Sequence, residues 1–104
     1  MKTARRKFHQ DQLVATLKRI RGLRTAVLSG LFTAQPQLEC DVLLVGKISQ
    51  NSLEKFSRGA EKLMGQEINY AVMDPQEYEY RRNTFDRFTK DIFENEHLVL
   101  IDKN

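Results

Sequence analysis

Apolar residues first recur along the chain at the spacing of a helix. Within residues 10–21, Leu13, Leu17 and Ile20 are separated by steps of four and three positions, which places them on one helical face. Gly22 follows and ends the periodic stretch, as glycine commonly does after a helix. The pattern therefore predicts an amphipathic helix ahead of the first strand.

The next strong signal is an aliphatic run at residues 38–46, closed by Gly46. This composition is typical of a central strand with both faces covered. Glu39 and Asp41 stand at its start, two positions apart, so their side chains would share one face of the strand. Two carboxylates this close need a cation, hydrogen-bond donors or open water around them, and Mg²⁺ is one such cation. The alternative is that both acids are simply solvated at a wet rim of the sheet.

The other elements follow from alternation, helical periodicity and turn residues. Strands are predicted at residues 24–29, 67–73 and 97–101, and helices at residues 51–64, 75–83 and 84–93. The clearest local signal is Asp74 followed by Pro75 and Glu77, because these residue types suit the first positions of a helix. The order α-β-β-α-β-α-α-β predicts an α/β (α+β) fold with a mixed β-sheet covered by helices. We assign residues 9–104 to this single domain and residues 1–8 to a flexible basic arm.

Composition narrows the functional classes. The 104 residues are 40% hydrophobic and include one cysteine, Cys40, which indicates a globular protein of the reducing cytoplasm without an internal disulfide. No apolar run approaches the roughly 20 residues of a membrane span, and no signal-peptide centre marks export. Because Cys40 lies inside the aliphatic run, we interpret it as a small buried hydrophobe rather than a catalytic thiol.

Charge is distributed unevenly along the chain. Of the 17 lysine and arginine residues, eight lie in residues 1–24, against one acidic residue. A basic segment ahead of an acidic body is typical of proteins that contact an anionic partner such as nucleic acid. The alternative is a solvated tail and a charged outer helix face. The predicted nucleic-acid contacts are Arg5, Arg6, Lys7 and Arg24.

Three short segments and the order of the elements resemble the minimal nucleotidyltransferase family. The segments are Val-Leu-Ser-Gly at residues 27–30, Asp-Val-Leu-Leu-Val-Gly at residues 41–46 and Glu-Ile-Asn-Tyr at residues 67–70. The likeness is closest to the small nucleotidyltransferase-like domains often joined to a winged helix-turn-helix in bacterial and archaeal regulators. It covers nearly the whole chain and implies a nucleotidyltransferase-like mixed sheet.

The resemblance also implies a site. Active members of the family carry Gly-Ser at the end of the first strand, where backbone amides and the hydroxyl hold nucleotide phosphates, and two acids on the next strand that bind Mg²⁺. The matching candidates here are Ser29 and Gly30 for phosphate, and Glu39 and Asp41 for the metal. The chain departs from the pattern, because its Ser-Gly order is reversed, bulky apolar residues follow, and Asn69 stands where a third acid is common. Full transfer chemistry is therefore not expected.

The leading hypothesis is a catalytically degenerate nucleotidyltransferase-fold protein that acts as a binding or regulatory module, of the transcription-regulator or toxin–antitoxin type. It needs no cofactor, and its expected partners are a second copy of the chain, another protein or, through the basic arm, nucleic acid; no membrane is expected. One alternative is an active enzyme that uses Mg²⁺ and a nucleoside triphosphate to transfer a nucleotide to a protein or small-molecule acceptor. The other is a plain dimerisation module.

Overall fold

The structure is a computed structural model that describes the backbone of residues 2–33 and 40–103, and the side chains of residues 10–30, 32–33 and 40–103. This part of the chain forms helices, strands and one 3-10 turn in the predicted order, which is therefore confirmed. In sequence they are α1 (Lys2–Lys18), β1 (Leu23–Leu28), the 3-10 turn (Gly30–Thr33), β2 (Val42–Gly46), α2 (Gln50–Met64), β3 (Tyr70–Met73), α3 (Pro75–Asn83), α4 (Arg87–Glu94) and β4 (Leu98–Asp102).

The strands form one mixed sheet in the order β3-β2-β1-β4. β1 runs antiparallel to both β2 and β4, whereas β2 and β3 are parallel. The parallel pairing follows from α2, because a strand–helix–strand crossover returns the chain in the same direction. Every residue of β2 is buried, so residues 42–46 of the aliphatic run form an interior strand, as their composition predicts, while residues 38–39 lie outside the described residues.

Helices cover both faces of the sheet and bury two apolar clusters. On one face α1 and α2 lie over the larger cluster, to which Leu17, Leu44 and Phe56 belong. On the opposite face α3 and α4 lie over a smaller cluster that includes Leu43 and Ile92. Successive residues of β2 thus point to opposite clusters, which is why an interior strand must be apolar at every position.

The first helix is longer at its start than the sequence predicts. Residues 1–8 are predicted to be an arm, whereas α1 begins at Lys2 and ends at Lys18. Residues 4–7 are Ala-Arg-Arg-Lys, all strong helix formers, and the helix contains no glycine or proline. The apolar periodicity marks only the part of the helix that packs on the sheet, so it does not reveal the polar turns before it.

The corner between α3 and α4 also differs from the prediction. The amide of Phe85 donates to the carbonyl oxygen of Arg82, and that of Asp86 donates to the carbonyl oxygen of Arg81. These two bonds form a Schellman motif, with Phe85 in the left-handed conformation (φ 54°) that glycine usually supplies. The Asp86 side chain then caps α4. The helix therefore begins after this cap rather than at residue 84.

The chain ahead of β1 and the end of β2 approach each other closely at two glycines. Gly22 and Gly46 have positive φ values of 87° and 153°. A Cβ atom on Gly46 would overlap with the carbonyl oxygen of Gly22, and one on Gly22 would overlap with the carbonyl oxygen of Lys47. Both positions therefore require glycine, and they fix how β1 meets β2.

Replacing Gly46 by alanine is expected to lower the free energy of unfolding by about 2–4 kcal/mol, because the new Cβ adds overlap to backbone strain. The matched control is Gly59→Ala in α2, where a Cβ would meet the Thr16 methyl group at an ordinary 3.7 Å. That change is expected to raise stability by about 0.5–1 kcal/mol, since alanine is the better helix former. Urea denaturation measures both, and similar effects at the two positions would contradict the close approach.

Candidate functional site

The candidate site lies at the edge of the sheet where β1 ends and β2 begins. The amide of Ser29 donates to the carbonyl oxygen of Asp41 at 2.8 Å, which extends the β1–β2 ladder by one pair. The 3-10 turn starts at Gly30, where a Cβ atom would lie 2.5 Å from Oδ1 of Asp41. The structure thus brings together Ser29, Gly30 and Asp41. The fourth predicted site residue, Glu39, lies outside the described residues.

Asp41 is built into the sheet. It is only 6% exposed, and its Oδ2 atom accepts a hydrogen bond from the backbone amide of Asn69 at 2.8 Å. The backbone amide of Asp41 in turn donates to the carbonyl oxygen of Asn69, also at 2.8 Å. These two bonds join the start of β2 to the residue that precedes β3. The interpretation of Asp41 as an acid solvated at a wet rim is therefore wrong.

Ser29 is fully buried at the same edge. Its backbone amide bonds to Asp41, and its carbonyl oxygen accepts the amide of Phe32 at 2.9 Å. Its hydroxyl, by contrast, has no hydrogen-bond partner in the part of the chain that the structure describes. A buried polar group without a partner is destabilising by about 1–3 kcal/mol. The Ser29 side chain therefore does not stabilise the fold through any described polar contact.

Both oxygen atoms of the Asp41 carboxylate lie against the protein backbone. Oδ2 of Asp41 is bonded to the Asn69 amide, and Oδ1 lies against the backbone at Gly30. Mg²⁺ takes octahedral oxygen ligands and usually keeps several waters, whereas Asp41 is only 6% exposed. Among the residues that the structure describes, moreover, no three His, Cys, Asp or Glu side chains are grouped so that they could hold a metal ion. No metal chemistry is therefore assigned to these residues.

Two neighbours of the site are part of the apolar interior. Cys40 is buried, and its thiol donates to the carbonyl oxygen of Val42 at 3.3 Å. Burial, reinforced by the negative charge of Asp41, raises the pKa of the Cys40 thiol to about 11, so the thiol is protonated and unreactive at neutral pH. Phe32 packs into the larger cluster under α1 and α2. Cys40 is therefore the buried hydrophobe that the sequence predicts, and Phe32 is a core residue.

The predicted nucleic-acid contacts belong to two elements, α1 and β1. Arg5, Arg6 and Lys7 lie on α1, which covers one face of the sheet, and their side chains are outside the described part. Arg24 lies on β1 and lines a cavity of about 540 Å³ together with Tyr78 of α3, on the opposite face. Of the four predicted contacts, Arg24 is therefore the one whose side chain lies within the described residues.

A cationic groove that the sequence does not reveal lies between α1 and α2. Its volume is about 520 Å³, and Arg19, Arg21 and Lys55 line it. Lys55 belongs to α2, whereas Arg19 and Arg21 follow the end of α1, so only the folded chain brings the three cations together. The signal present in the sequence is that the polar faces of both helices carry more basic than acidic residues.

Asp41→Leu is expected to lower the free energy of unfolding by about 1–3 kcal/mol, because the part-buried Asn69 amide loses its acceptor. Asp41→Asn keeps an oxygen that can accept this bond, so its effect is expected to be smaller. The matched control is Ser29→Ala at the same edge, which removes the unpaired hydroxyl and is expected to leave stability unchanged or higher. Denaturant unfolding followed by circular dichroism measures all three. An Asp41→Leu protein as stable as the parent would show that this bond does not hold the start of β3.

No family model, curated protein or solved structure matches this chain. The resemblance to minimal nucleotidyltransferases therefore stays a prediction that depends on a few short segments. Within residues 2–33 and 40–103 no helix has the length and apolar character needed to cross a membrane.

Proposed function

We propose that this protein is a binding module with the scaffold of a nucleotidyltransferase and without its transfer chemistry. The observation that supports this most directly is the position of Asp41. In the family that the chain resembles, the acid at this position holds Mg²⁺ against nucleotide phosphates. Here its Oδ2 atom is bonded to the Asn69 amide at 2.8 Å, and the residue is 6% exposed.

Nucleotidyl transfer requires carboxylate oxygens that face a metal ion in contact with the triphosphate. Asp41 could meet this requirement only if its carboxylate became accessible, because the residue is 6% exposed and its Oδ2 atom already accepts the Asn69 amide. A hydrogen bond to a charged group contributes about 1.5–3 kcal/mol to stability. This bond lies at the start of the β2–β3 pairing, which consists of only four residue pairs. Metal binding at Asp41 would thus compete with the pairing of an edge strand.

The phosphate-binding position is closed in the same conformation. Ser29 has no exposed surface, so a nucleotide in solution has no access to its hydroxyl. Asn69, which stands opposite Asp41, supplies no negative charge to complete a set of metal ligands. Both features favour a role in binding over a role in catalysis.

The proposed role is regulatory, of the transcription-regulator or toxin–antitoxin type, with nucleic acid or another protein as the partner. Its support is the charge distribution. Helices α1 and α2 and the turn after α1 contain ten lysine and arginine residues and three acidic ones, although the whole chain carries a net charge of only +3. A face with this bias attracts an anionic partner.

Mg-ATP and Mg-CTP at millimolar concentration are expected to shift the melting temperature by less than about 1 °C. A nucleotide at a hundred times its Kd would stabilise the protein by about 2.7 kcal/mol, which corresponds to roughly 10–20 °C for a domain of this size. Differential scanning fluorimetry measures the shift, with Asp41→Asn as the matched control. A large shift that disappears in Asp41→Asn, together with transfer of labelled nucleotide, would establish the active enzyme instead.

A specific observation favours a second candidate, the dimerisation module. β4 is at one edge of the sheet, and the side chains of Leu98 and Val99 on it are 40% and 45% exposed. An edge strand with exposed apolar residues is a ready surface for pairing with a strand of another chain. A second copy of the protein that adds its own β4 would cover both side chains.

If the dimer forms through β4, Val99→Lys is expected to convert it to a monomer without unfolding, since this side chain already faces solvent. Sedimentation velocity at several protein concentrations measures the mass. The matched control is Tyr80→Lys, which places the same charge at another exposed residue, on α3. A parent protein that is monomeric at every concentration would exclude this candidate.

A further inference from the structure

The charged side chains that line the groove between α1 and α2 are all positive. Three cationic side chains, Arg19, Arg21 and Lys55, stand around it together with the hydroxyl-bearing residues Thr16 and Ser52. No carboxylate is among the lining residues. Its volume of about 520 Å³ falls within the roughly 300–1,000 Å³ of ordinary ligand sites. An anionic group entering it would meet donors and positive charge without an opposing acid.

The three cations are available for a ligand. Arg19, Arg21 and Lys55 are all exposed, and none of them forms an ion pair with another described residue. By contrast, Arg81 on α3 is engaged with Glu77 at 3.1 Å and with Asp86 at 3.2 Å. Binding an anion in the groove therefore requires no internal ion pair to be broken.

The groove lies within a larger cationic layer. Residues 2–22 and 50–64, here called the basic layer, contain ten lysine and arginine residues against three acidic residues. The rest of the chain contains seven basic and eleven acidic residues. One helical layer of the sheet is thus strongly positive, while the remainder of the molecule is negative. Such an asymmetry orients the approach of a polyanion toward one face.

The floor of the groove indicates how an anion would be recognised. Phe56, the aromatic residue in the lining, is 1% exposed, and Ile20 is 7% exposed. Single-stranded nucleic acids are usually held by bases that stack on exposed aromatic rings. The groove offers no such ring, and its polar groups suit phosphate oxygens rather than base edges. A duplex, whose bases remain stacked inside and whose phosphates face outward, is the better fit.

We propose that the groove between α1 and α2 binds the phosphodiester backbone of double-stranded nucleic acid, independently of its base sequence. This proposal rests on the binding role proposed for the protein and names its partner. Arg19, Arg21 and Lys55 neutralise phosphates and release their counterions, and the Thr16 and Ser52 side chains supply further polar contacts. Because base edges are not contacted, binding is expected to be equal for duplexes of different sequence.

Fluorescence anisotropy with a short labelled DNA duplex and its sequence-scrambled counterpart tests the proposal on the full chain. Three phosphate contacts predict that binding weakens about 40-fold between 50 and 200 mM salt. The triple variant Arg19→Gln, Arg21→Gln, Lys55→Gln is expected to bind at least tenfold more weakly at 50 mM salt. The slope of log affinity against log salt is expected to become shallower by about two to three.

The matched control is the triple variant Arg87→Gln, Lys90→Gln, Lys103→Gln, which removes the same charge from exposed residues outside the groove. It is expected to keep most of the parent's affinity. Equal losses in the two triple variants would attribute binding to net charge alone and would overturn the proposal. Thermal melts of both variants confirm that each is folded, as expected for changes at exposed side chains.

Two further measurements distinguish a nucleic-acid duplex from other phosphate-bearing ligands. Inorganic tripolyphosphate at matched phosphate concentration is expected to compete poorly with the duplex, and efficient competition would indicate a small-anion site instead. Vesicles that contain anionic lipid are expected not to bind, and binding to vesicles with none to the duplex would overturn the proposal. If the duplex does not bind, the groove proposal is overturned, while the observation that Asp41 is buried and bonded to Asn69 still supports a non-catalytic role. A nucleotide-induced thermal shift would instead contradict the proposed function, and duplex binding could still be measured.

Discussion

The two hydrogen bonds between Asp41 and Asn69 are the constraint on which the candidate site depends. They close the β2–β3 pairing at the point where the chain enters an edge strand, and one of them uses the Asp41 carboxylate itself. Because the amide of Ser29 donates to the carbonyl oxygen of the same aspartate, three strand ends meet at one residue. A carboxylate held in this way takes part in the pairing of the strands, because its Oδ2 atom fixes the start of β3.

Asn69 places an uncharged residue next to Asp41. Its backbone bonds to Asp41 twice, and the family that the chain resembles often has a third acid on a later strand. A second carboxylate at that position would repel the first, and the pair would need a cation to be stable at neutral pH. An uncharged side chain removes the repulsion, which leaves the Asp41 carboxylate to accept the backbone amide. An amide side chain at this position is therefore compatible with the strand pairing without a neutralising cation.

The sequence predicts best where a structure depends on neighbouring residues. Asp74 and Pro75 open α3 as predicted, and Gly65 ends α2 in the left-handed conformation. The start of α2 is less well predicted, because the helix is expected from residue 51, whereas Ser49 caps it and it begins at Gln50. Prediction also fails where a contact joins residues that are far apart in the sequence. The amide that Asp41 binds belongs to a residue 28 positions away, and the register of the strands determines that pairing. Composition places Asp41 on the correct strand and leaves its partner undetermined.

The sequence does not predict the cationic groove, for a related reason. An amphipathic helix needs polar residues on its outer face, but folding does not require that they carry one sign of charge. The ten basic residues of the basic layer are spread over two helices and a turn, and Lys55 joins Arg19 and Arg21 only after the helices pack. Like charges gathered on one face repel and lower stability unless counterions or a partner neutralise them. Helix formation and core packing do not require this excess of positive charge, and the proposed contact with a polyanion would neutralise it.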